Sequence, residues 1–125
     1  MSLPWPRLLT IAQIEVAATV NSLPPPVRVK AQRLPVTYER LPNAALQRDG
    51  IADDTMGLFV GEAFPDSAGG IGPLPAQIIL FLENIWDEAG QDEEIYREEV
   101  RTTLVHELGH YLGLGEDDLD ERGLA

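Results

Sequence analysis

Both histidines of the chain fall in one short stretch, VHELGHYLGLGED, from Val105 to Asp117. His106 and His110 are four residues apart, and Glu107 directly follows the first. On an α-helix a four-residue step overshoots a full turn by about 40°, so both imidazoles leave one face, about 6 Å apart along the axis. Two neutral imidazoles converging in this way can share a divalent ion such as Zn²⁺, with Zn–N bonds of about 2.0–2.1 Å. Glu107 lies about 100° round the helix, badly placed to join that pair of ligands but able to reach a water beside the ion. H-E-x-x-H therefore sets two ligands and one general base on a single rigid element. Gly113 follows His110 by three residues and Glu116 follows Gly113 by three. A glycine at that place can turn left-handed and end the helix. The chain can then double back and deliver Glu116 as the third protein ligand that catalytic zinc sites use. Asp117, its neighbour, can fill the same role.

The elements that must hold this stretch can be read from spacing. The apolar residues Ile95, Val100, Leu104, Leu108 and Leu112 form a helical stripe, and Asp92, Glu93 and Glu94 suit a positive N-terminus, so the last long helix is predicted from about Asp92 to Leu112 or Gly113. Residues 5–22 predict the first helix, through Trp5, Leu8, Leu9, Ala12, Val16 and Val20, with Pro24, Pro25 and Pro26 blocking its continuation. Val27–Lys30 reads as a short connection or a turn of helix. Leu34–Leu41 and Thr55–Glu62 read as strands, the second with Leu58 and Val60 on one face and Phe59 on the other. Gly57 and Gly61 would let a neighbouring backbone or ligand come close to that strand, or mark ordinary bulges or strand ends. Asn43–Asp54 reads as a loop with a turn at Asp49-Gly50, and Phe64–Pro75 as a second loop. The apolar run AQIILFLENIW predicts a third strand over Gln77–Glu83, leading out through Asn84–Asp87 to a turn at Gly90. Glu116–Arg122 reads as a short closing turn of helix.

The chain has 125 residues, which suits one small domain over 1–125 with a single modest core. Its net charge of −12 argues against nucleic acid or an anionic membrane as a partner. It has no cysteine, so a metal here must be held by nitrogen and oxygen, a donor set that suits catalytic better than structural zinc. The apolar stretch Leu8–Val20 is interrupted by Gln13 and Glu15, unlike the core of a signal peptide. No run approaches the ~20 apolar residues of a membrane span. The expected location is cytoplasmic.

The order of elements, with HELGHYLGL from His106 to Leu114 closing the chain, resembles the bacterial minimal-zincin family of short acidic proteins, within the zincin metallopeptidases. The extended motif is similar to that of metzincins, from which it departs in carrying Glu116 where they usually have histidine or aspartate. It also has no methionine after the motif, its only methionines being Met1 and Met56. The resemblance implies an α+β, zincin-like fold: a small mixed sheet of three to four strands packed on a C-terminal active-site helix and an N-terminal helix. It implies Zn²⁺ at His106 and His110, a third ligand at Glu116, Glu107 as general base, and a peptide or unfolded protein as substrate. It further suggests Gln77–Glu83 as the edge strand along which substrate extends. With 15 residues after His110, no lower subdomain is expected, so the cleft should be shallow on one side unless a second copy of the chain completes it. Two other readings stay open: a zinc-binding regulatory or interaction module without turnover, and a site for another divalent ion, since imidazole and carboxylate suit several.

Overall fold

Proline placement governs the N-terminal part of the molecule. In the computed structural model, which describes residues 3–61 and 76–112, the first element is a helix. This helix, α1, runs Trp5–Ser22, entered through Pro4 with Pro6 in its first turn. Proline there loses no helical hydrogen bond and has its φ already set. Leu23 is extended, with ψ 152°, as the residue before Pro24 is constrained to be. The helix thus ends where the sequence predicts. The same prolines then start the next helix: Pro25 and Pro26 occupy the first turn of α2, Pro25–Gln32. The short connection or turn of helix expected at Val27–Lys30 is the middle of this eight-residue helix, because proline breaks a helix it ends but favours one it begins.

The strand β1 covers Val36–Glu39. A short helix, α3, Ala44–Arg48, follows inside the stretch expected to be loop, where the Asn43 side chain accepts from the Leu46 amide at 2.9 Å and caps it. The Asp49-Gly50 turn is present, with Gly50 at φ 98°. β2 covers Gly57–Val60 and β3 Gln77–Phe81. Gly61 sits at φ +109°, and a Cβ there would stand 2.7 Å from Ala76 Cα, so the chain leaves β2 and enters β3 at touching points. Residues 62–75, with the loop expected at Phe64–Pro75, lie outside the described residues.

The apolar run after Gln77 holds two elements. β3 stops at Phe81, and α4, Leu82–Glu88, begins at the next residue. Leu82, Ile85, Trp86 and Ala89 are buried at helical spacing, which overrides the β-prone composition of the run. Gly90 and Gln91, at φ 66° and 60°, then turn the chain into the last helix. Asp92 caps it, its Oδ1 accepting from the Ile95 amide at 3.0 Å. α5 runs Glu93–Leu112, within the predicted bounds. Its buried stripe is offset from the expected one at the start: Ile95 is 44% exposed, while Tyr96 is fully buried together with Val100, Leu104 and Leu108. Ile95 stands one position, about 100°, off the face that the later residues fix.

The sheet has the order β1-β3-β2, with β1 parallel and β2 antiparallel to β3. Val36 and Tyr38 pair with Ile78 and Leu80 on one side, and Phe59 and Gly57 pair with the same two residues on the other. Paired residues share a face, so these six line the side turned to the helices, and Leu58 and Val60 lie on the opposite face from Phe59, as predicted. The core forms between this face and α1, α4 and α5. Trp86 meets Tyr96 edge-on at 5.5 Å, and the Tyr96 hydroxyl donates to the Leu8 carbonyl of α1 at 2.9 Å. Glu15, buried on α1, accepts from Arg97 at 3.4 Å and from Arg101 at 3.0 Å, tying α1 to α5. The molecule is thus an α+β fold, a small mixed sheet packed on a C-terminal helix and an N-terminal helix, and no described helix is long and apolar enough to cross a membrane.

Candidate metal centre

α5 brings the two histidines and the glutamate together, and the helix alone suffices for this. The rings of His106 and His110 have centroids 4.8 Å apart and planes inclined at 70°. The donor atoms of His106, Glu107 and His110 all lie within 4.8 Å of one another, close enough for side-chain rotation to bring them around one ion. Burial divides the group. The His110 side chain is 52% exposed, whereas that of Glu107 is 9% exposed. His110 Nδ1 and Glu107 Oε1 are 3.0 Å apart. In the tautomer with hydrogen on Nδ1, that nitrogen donates to the carboxylate and Nε2 keeps a lone pair that a metal could take. The chemistry of the set, two imidazoles and a carboxylate with no thiolate, fits a divalent ion of zinc type.

Strand β2 lies along the row of α5 that carries Glu107. Residues 103, 107 and 111 follow one another at four-residue steps, and β2 faces them with Gly57 and Phe59. At one end, a Cβ on Gly57 would stand 2.6 Å from Thr103 Cγ2 and 3.2 Å from Glu107 Cγ. At the other, the rings of Phe59 and Tyr111 meet at 5.8 Å. Tyr111 is buried here, one position and about 100° round the helix from the second histidine. What comes close at Gly57 is neither backbone nor ligand but the side chains of Thr103 and Glu107 on the histidine-bearing helix. At Gly61 it is the backbone of Ala76.

One expectation about the site is corrected. Gln77–Glu83 does not form an edge strand, because β3 is paired on both sides. Its apolar sequence, free of the charges and proline that blunt edge strands, was the available signal. The strand beside the histidine helix is β2, whose outer edge has no partner among the described residues. Gly113, the third ligand expected at Glu116 and its neighbour Asp117 lie outside the described residues, as does the closing turn expected over Glu116–Arg122.

Comparison with known proteins adds a family. A protein-family model described as zincin-like metallopeptidase matches residues 31–124, from the end of α2 through β1, the sheet and α5. No curated protein matches the chain.

Proposed function

The chain belongs to the zincin-like metallopeptidase family, and from that premise we propose that it hydrolyses peptide bonds with Glu107 as general base beside a divalent ion, zinc by family, held by His106, His110 and Glu116. The observation that carries this reading is the placement of Glu107: a buried carboxylate within the reach of two accessible imidazoles, under a strand whose outer edge has no partner among the described residues.

The division of roles follows from the residues. A bound zinc ion supplies Lewis acidity, which acidifies water and polarises a carbonyl. Glu107 takes the proton of the attacking water as its oxygen bonds to the carbonyl carbon, and passes it to the amide nitrogen as the C–N bond breaks. Burial under β2 shields the carboxylate from bulk water while its oxygens stay on the histidine side. The outer edge of β2 offers backbone donors and acceptors to an extended peptide, which would add as a further strand. Peptides or unfolded proteins, whose backbone is free to extend, are therefore the substrate class.

The test compares wild type with Glu107→Ala for metal content and for cleavage of a denatured protein and a peptide library. Metal should be retained and cleavage should fall by about 10²–10⁴-fold, the usual contribution of a general base. A zinc-loaded wild type that cleaves nothing across the library would instead favour a zinc-binding module without turnover.

A further inference from the structure

The geometry points to Gly57 as the positioning residue for Glu107: the bare Cα of the edge strand leaves the space in which the Glu107 side chain is held. This rests on the reading of Glu107 as the general base. The backbone of Gly57 has no positive φ, so nothing in its conformation requires glycine. Space does. A methyl group at Gly57 would meet Leu80 Cδ2 at 3.6 Å, an ordinary contact, but Thr103 Cγ2 at 2.6 Å and Glu107 Cγ at 3.2 Å.

The two tight contacts have different consequences. Thr103 Cγ2 belongs to a buried side chain one turn before Glu107, and its overlap burdens the packing of β2 on α5. Glu107 Cγ is the atom that directs the carboxylate. With the helix fixing its Cβ and β2 closing one side, the side chain is steered towards His110, where Oε1 stands 3.0 Å from Nδ1. A methyl at Gly57 intrudes on the place of Cγ and turns the carboxylate away from the reacting water. The outer edge of β2 is untouched by such a change, so peptide docking should persist. Gly57 thus links the strand proposed to align substrate with the group proposed to move the proton.

The experiment separates packing from positioning by using Thr103→Ser, which removes the Cγ2 methyl but leaves Glu107 in place. Gly57→Ala should lower the melting temperature by several degrees and lower kcat about ten- to hundredfold, with KM and zinc content near wild type. Gly57→Ala combined with Thr103→Ser should regain most of the melting temperature and little of the kcat. A second cycle needs no activity: in a Glu107→Ala background, which lacks Cγ, Gly57→Ala should cost less melting temperature than it does in wild type. Two results would overturn the proposal: kcat recovering along with stability in the Thr103→Ser double variant, or a Gly57→Ala penalty of equal size with and without Glu107. If the wild type cleaves nothing, the function proposed above fails, and the stability cycle alone still decides whether Gly57 and Glu107 are coupled.

Discussion

At the scale of single residues, the proposed metal ligands and the proposed base should separate cleanly by experiment. His106→Ala and His110→Ala each remove one nitrogen donor and should abolish stable zinc binding in equilibrium dialysis, where Glu107→Ala retains it. The histidine spacing was legible in the sequence because it is a property of one helix and needs no tertiary partner. Tyr96 was not, since which side of α5 faces inward depends on what packs against it. Its hydroxyl is buried and bonded to the Leu8 carbonyl. Burial chiefly, and Tyr38 in addition, push its pKa well above the ordinary value of 10.0. The unfolded chain gives up that proton near pH 10 while the fold retains it, so stability should decline as pH rises past 10. Tyr38, shifted upwards by burial, adds in the same direction. In urea titrations, Tyr96→Phe should flatten the alkaline slope of up to about 1.4 kcal/mol per pH unit that one such group imposes. It should cost about 1 kcal/mol at neutral pH for the lost hydrogen bond.

At the scale of elements, α5 is held at three places that can be weakened one at a time. Asp92 caps its start, and Asp92→Ala should cost about 1 kcal/mol of stability with zinc affinity unchanged, because the cap lies several turns from the histidines. Glu15 clamps its first half to α1 through Arg97 and Arg101. Both arginines are partly exposed, so Glu15→Ala should cost only about 1 kcal/mol, less in high salt, as denaturant midpoints would show. β2 covers its histidine-bearing half. The sequence placed α1 and α5 well because their ends carry proline or acidic caps. It missed α3 and α4 because five- and seven-residue helices offer too few turns for periodicity to emerge from an apolar or polar run. The order of strands was hidden for a different reason: pairing is made between segments far apart in the chain, and only the even apolarity of Gln77–Phe81 hinted at its central place.

At the scale of the whole molecule, the apolar core and the histidine pair share a helix but use opposite sides of it. Val100, Leu104 and Leu108 are buried against the rest of the fold, whereas His110 stands half exposed. The protein should therefore remain folded when chelator removes the ion, with its far-ultraviolet circular dichroism unchanged. Zinc should then add stability only by mass action, about 2.7 kcal/mol at a free concentration a hundredfold above Kd. The fold class was legible as a whole, even where individual elements were not, because two amphipathic helices around a few short strands leave few ways to bury one core. The meeting of Gly61 with Ala76 has a consequence for how such a protein can change. Gly61 and Ala76 stand side by side, so the described frame closes on itself there, and lengthening a flexible insertion grafted at that point would cost only about 0.6 kcal/mol per doubling of its length. The histidine helix and its strand would keep their places through such an exchange.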